Sequence, residues 1–239
     1  MDNAGYVALT RQSGLLREMR SVAHNIANMS TTGYRREGLV FSEHVQRTGR
    51  GEDSLSMASA DVRAFGRLQG ELTRTGGTFD LAVQGEGYFL VETDEGQALT
   101  RAGAFTPNAA GDLVTADGLR VLDAGGAPIF VPPDAADISV AQDGTLSADG
   151  RPVAQIGLWR PDSPQDIARR EGVLLALSAP PRPVEQPVIL QGHLEGSNVD
   201  PVAEVTRMIE VQRAYELGQN FLQREDERAR TAIRTLGQR

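Results

Sequence analysis

The 239-residue chain has no cysteine and no lysine, three histidines, one tryptophan and 5% aromatic residues. Without cysteine there is no disulfide and no thiolate metal site, so the fold must hold in any redox compartment without staples. His24, His44 and His193 lie far apart, none with a second ligand at metal spacing. No stretch reaches the roughly 18 consecutive apolar residues of a membrane span. The first residues lack a basic region followed by an apolar one, so no cleaved secretory signal is expected. A GxSxG elbow and a Walker loop are also missing. Gly85-Glu86-Gly87-Tyr88-Phe89-Leu90 begins like a dinucleotide fingerprint, but Leu90 stands where the third glycine belongs and a strand follows; it reads as a hairpin turn. With no positioned nucleophile or base, neither catalysis nor a cofactor or metal is expected.

What is present is a pair of helical stripes enclosing a middle of different character. Leu9, Gln12, Leu16, Met19, Ala23 and Ile26 alternate steps of three and four, while Met208, Tyr215, Leu222, Ala229 and Leu236 recur every seven. Periodicity alone allows the first stripe to be the core face of an ordinary helix, but the long C-terminal repeat favours assembly. The first helix ends near Asn28, where Met29-Ser30-Thr31-Thr32-Gly33 breaks the pattern. Asp200 and Pro201 open the last one, a cap followed by a residue whose missing N–H costs nothing there. Residues 31–75 show no sustained period and read as an extended arm.

From Thr78 onward short apolar runs at 79–83, 87–91, 113–114, 121–122, 129–131 and 138–140 alternate with turn signals such as Asp117-Gly118, Asp143-Gly144 and Asp149-Gly150. This spacing predicts an antiparallel all-β domain. Pro180, Pro181, Pro183 and Pro187 then enforce an extended passage. The expected segments are 1–30 (helix), 31–75 (arm), 76–195 (β domain) and 196–239 (helix). Charge follows the same division. The net charge is −8; residues 1–50 hold seven Arg against four acids and residues 199–239 hold seven of each, leaving −11 for the middle. Such a body repels nucleic acid, while near-neutral ends are free to pack on copies of themselves.

Four ordered segments carry a resemblance. His24-Asn25-Ile26-Ala27-Asn28-Met29-Ser30-Thr31-Thr32-Gly33-Tyr34-Arg35 resembles the N-terminal signature of bacterial flagellar rod and hook proteins, with its ANxxTxGY pattern. Asp80-Leu81-Ala82-Val83-Gln84-Gly85-Glu86-Gly87-Tyr88-Phe89 and Thr100-Arg101-Ala102-Gly103-Ala104-Phe105 are similar to the family's β-domain core, which Thr115-Ala116-Asp117-Gly118 continues. Leu194-Glu195-Gly196-Ser197-Asn198-Val199 and Met208-Ile209-Glu210-Val211-Gln212-Arg213-Ala214-Tyr215-Glu216 resemble its C-terminal motif. Length and the Gln155-Ile156-Gly157-Leu158 stretch with its Pro-rich sequel look most like a proximal-rod member, with a distal-rod member as the alternative.

The resemblance implies an α+β fold in which the N- and C-terminal helices pair as a coiled-coil assembly domain and a central antiparallel all-β domain forms the outer wall. It adds Asn28, Gly33, Tyr34, Val205, Ile209 and Gln212 to the stripe residues as an assembly interface. The implied partners are copies of the chain and other proximal and distal rod subunits, with the flagellar type III export apparatus in transit and neither nucleic acid nor membrane insertion. The implied place is the periplasm-spanning rod of the basal body, a hollow shaft carrying motor torque to the hook. A carbohydrate-binding or hydrolytic β domain on assembly helices is the alternative of another class.

Overall fold

The computed structural model describes residues 2–46, 55–66 and 68–236. The fold is α+β, with a helix at each end of a mainly β central region. It divides into two compact units, one made of residues 1–27, 37–64 and 200–239, the other of residues 28–36 and 65–199.

The first unit holds helices α1 (Asp2–Ala27) and α2 (Pro201–Leu236), together with paired strands Glu37–Gln46 and Leu55–Phe65. Both strands fall in the segment expected as an extended arm, where isolated apolar residues gave no period to read. Asp200 opens α2 as expected, its Oδ1 accepting the N–H of Val202 at 2.9 Å and of Ala203 at 3.1 Å. The helices run antiparallel, since Gln12 meets Tyr215 while Asn25, further along α1, meets Glu204 near the start of α2.

In the second unit the paired strands are antiparallel. Its largest sheet has the order Ile167–Arg169, Leu175–Leu177, Gly96–Thr100, Phe89–Thr93. Successive side chains of a strand point to opposite faces, and both faces here are covered. Phe89, Val91 and Ala98 enter the larger core with Leu81, Leu113 and Ile156, where Phe89 and Phe105 meet edge to face at 5.1 Å. Leu90 and Leu99, opposite each other in register, enter a second core with Leu122, Ile167 and Leu175. That double burial is why Phe89-Leu90-Val91 is a continuous apolar run without alternation. Strands Ile138–Val140, Thr145–Ala148 and Arg151–Gln155 form a meander. Its last turn places Asp149 and Gly150 at φ of 50° and 75°, as a two-residue hairpin of the right twist requires.

Two expectations change. Residues 121, 122 and 130 form single bridges, Val91 with Val121, Leu122 with Pro128 and Asp112 with Phe130, because two close turns and a proline without an N–H leave no room for a ladder. The Gly85–Gly87 turn is not a hairpin. It leads from Leu81–Val83, paired with Ile189–Gln191, into Phe89–Thr93, paired with Gly96–Thr100, and so crosses between sheets.

Candidate assembly surface

In the helical unit the covered face of α1 is largely polar. Gln12, Glu18, Ser21 and Asn25 are buried beside Val22, whereas Leu9, Leu16 and Ala23 are exposed and Met19 and Ile26 half-buried. Polar groups inside a protein are usually satisfied by partners, and each of these residues has at least one, although Gln12 Oε1 accepts no hydrogen bond. Asn25 donates to the Glu37 carbonyl at 2.8 Å and accepts the Glu37 N–H at 2.9 Å, as a neighbouring strand would. The same amide reaches Glu204 Oε2 at 3.2 Å, and Ser21 adds a bond to the Glu37 carbonyl at 3.0 Å. Gln12 donates to the Tyr215 carbonyl at 3.0 Å, close over Gly218, where an added Cβ would stand 2.4 Å from Gln12 Nε2. Arg207 Nε bonds Glu18 Oε1 at 2.6 Å, and that bond raises the proton affinity of an already basic guanidinium.

On α2 the buried and half-buried positions, Ala214 apart, are Glu204, Met208, Val211, Tyr215, Gly218, Leu222 and Glu225, which alternate steps of four and three. Met208, Tyr215 and Leu222 thus lie on the covered stripe; the side chains of Ala229 and Leu236 lie outside those described. Val205, Ile209 and Gln212 are exposed. With Val202, Leu217 and Phe221, Val205 and Ile209 leave large apolar side chains facing solvent, Val202 at 75% and Leu217 at 71% of full exposure. Isolated exposed apolar residues need no explanation, but a succession along one helix makes this face a candidate for contact.

The signature segments close on one another within the β unit. Asn28 caps a turn, its carbonyl accepting the Thr31 N–H and its Oδ1 the Thr31 hydroxyl, both at 3.1 Å. Gly33 follows at φ 70°, and its N–H donates to the Glu195 carbonyl at 2.7 Å. A Cβ there would stand 2.1 Å from the Ala102 backbone nitrogen, so only glycine fits. Tyr34 is fully buried, with the Arg169 guanidinium 4.3 Å above its ring. The buried Glu195 carboxylate receives Arg101 at 2.9 Å, Arg35 at 3.2 Å and the Gly70 N–H at 3.1 Å. Burial, then the neighbouring Arg35, lowers the proton affinity of Arg101, and Glu195 opposes both. Asn198 finishes the latch, accepting the Arg36 N–H at 2.6 Å and donating to the Leu68 carbonyl at 2.7 Å.

Asn25, Glu204, Arg101 and Glu195 were not singled out by periodicity, which weighs apolar residues only. Their signal is polar identity at positions a core should occupy. Among the described residues no group of His, Asp and Glu is placed to hold a metal, and no helix is long and apolar enough to cross a membrane.

Comparison with known proteins accounts for this arrangement. Residues 82–148 match the flagellar hook protein FlgE/F/G D1 domain, and residues 190–235 match the flagellar basal body rod FlgEFG protein C-terminal family. The chain is 41% identical over 244 residues to the flagellar basal-body rod protein FlgF of Caulobacter vibrioides, covering 99% of each chain. To FlgF of Mesorhizobium japonicum it is 37% identical over 240 residues, again 99% of each. The flagellar basal-body rod protein FlgG of Agrobacterium fabrum is more distant, 31% identical over 261 residues, 96% of this chain and 98% of the relative. With end-to-end identity at this level, and both signature segments locked into one latch, the chain belongs to the flagellar basal-body rod proteins and is FlgF-like within them.

Proposed function

We propose that the chain is a structural subunit of the proximal rod, assembling with copies of itself and with other rod subunits into the hollow shaft that carries torque to the hook. End-to-end identity of 41% and 37% to two FlgF proteins carries this reading, against 31% to the FlgG protein, the distal-rod alternative. The family is a structural one and not an enzyme family.

In this reading the segments 1–30 and 196–239 are the assembly domain, 31–75 the arm and 76–195 the outer wall. The terminal helices pair as a coiled coil through Met19, Ile26, Met208, Tyr215, Leu222, Ala229 and Leu236. Neighbouring subunits then cover Leu9, Leu16, Ala23, Val205, Ile209 and Gln212, and Asn28, Gly33 and Tyr34 belong to the same assembly interface. Burying each large apolar side chain contributes on the order of 1.5 to 3 kcal/mol, enough for a handful to drive assembly. Head-to-tail contacts of this kind generate open helical arrays. Export through the flagellar type III apparatus delivers the subunit to the periplasm-spanning rod. Electron microscopy of basal bodies from cells lacking the chain tests the assignment: a rod that stops short of the hook is expected, and complete flagella would overturn it.

A further inference from the structure

The β unit carries an open groove of about 560 Å³ whose walls include Arg35, Arg101, Arg160 and Arg182, with Glu86 and Asp162 at the rim. Arg182 reaches Asp162 at 2.9 Å, and Arg160 lies 3.9 Å from Glu86; all four rim side chains are more than half exposed. Deeper in, Arg101 is 3% exposed and shares the carboxylate of Glu195 with Arg35. Its Nε has no hydrogen-bond partner. A buried guanidinium holding only a share of a counter-charge is costly, and a carboxylate entering the groove lowers that cost.

The rest of the unit is of the opposite sign. Asp134, Asp137 and Asp149 are exposed, and the Asp149 carboxylate takes the Asp137 N–H at one end of the meander, with Arg151 beside Asp134 and Asp149; the exposed Asp143 lies in the turn at the other end. One surface of the unit therefore offers what another lacks. We propose that the Arg101 groove receives the acidic edge formed by Asp134, Asp137 and Asp149 in a second copy of this chain, an asymmetric contact that adds to the helix contacts. The proposal rests on the reading of the chain as a self-assembling rod subunit and names a second surface for it. Such a contact repeats head to tail without closing on itself.

The absence of cysteine makes the test clean, because an introduced thiol can pair only with another introduced one. Full-length Glu86→Cys and Ala136→Cys copies, both altered at exposed positions beside the groove and the acidic edge, are mixed and oxidised. Mixed disulfide in excess over either homodimer is expected. Adding Arg160→Glu and Arg182→Glu to the first copy is expected to cut the yield about fivefold, as like charges now face each other. Adding Asp134→Arg and Asp137→Arg to the second copy as well is expected to restore it. Circular dichroism on each variant checks that the fold survives. No mixed disulfide, homodimers in excess, or a yield indifferent to the reversed charges overturns the proposal. None of these outcomes touches the rod assignment, which depends on the micrographs of deletion cells.

Discussion

Glu195 shows how much one side chain can organise, since its carboxylate meets Arg101 and Arg35 while its carbonyl holds Gly33. Replacing it by Gln keeps the shape and removes the charge, leaving two guanidiniums 3–4% exposed without it. Breaking a buried pair from one side typically costs about 3–5 kcal/mol, so Glu195→Gln is expected to lower the urea midpoint sharply with little change in slope. An unchanged midpoint would show that the latch adds no stability. Asp143 offers a milder test. Its Oδ1 accepts the Thr145 N–H at 2.9 Å, which holds its pKa below the ordinary aspartate range in the folded state. A depressed carboxylate stabilises the fold above its unfolded pKa, and that contribution is lost as pH falls through the folded one. NMR titration should find Asp143 still ionised where ordinary aspartates have taken up a proton, and Asp143→Asn should flatten the acid limb of stability.

At the scale of elements, α2 presents two surfaces only two residues apart. Val211 is 2% exposed on the covered stripe, while Ile209 is 46% exposed. Val211→Asp buries an unpaired carboxylate and is expected to melt the helical unit at a cost of several kcal/mol. Ile209→Asp is expected to leave thermal unfolding nearly unchanged and to abolish motility. Equal effects of the two on folding would remove the distinction. Both helices were legible in the sequence, with ends near Ala27 and Pro201, because periodicity and caps are local signals. The phase of α1 was not. Its apolar residues Leu9, Leu16 and Ala23 face outward while Gln12, Glu18, Ser21 and Asn25 fill the covered side, and hydropathy cannot see a polar residue buried by its hydrogen bonds. The β domain was legible from its turns, which are fixed by Asp-Gly chemistry within a few residues. Which strands pair was not, since Leu81–Val83 finds its partner at Ile189–Gln191.

For the whole molecule, that distant pairing decides where the β unit can be cut. A fragment of residues 76–188 retains most of the apolar core but loses Ile189, the strand His193–Glu195 with its partner Leu72–Arg74, and the latch. A fragment of residues 28–199 keeps them all. The longer fragment is therefore expected to be β-rich and to unfold cooperatively, the shorter one to unfold at clearly lower temperature; equal melting would show that the latch is dispensable. Residues 162 apart in the chain meet where Arg36 binds Asn198. Closing a loop of that size costs on the order of 4–5 kcal/mol in chain entropy from its length alone, and no contact made there repays it until both ends arrive. Folding is accordingly gated by the last segment to become available. A polypeptide emerging from its N-terminus leaves Gly33 and Arg35 short of Glu195, and Arg36 short of Asn198, until the end of the β unit has followed, so the subunit cannot finish that unit early in its own delivery.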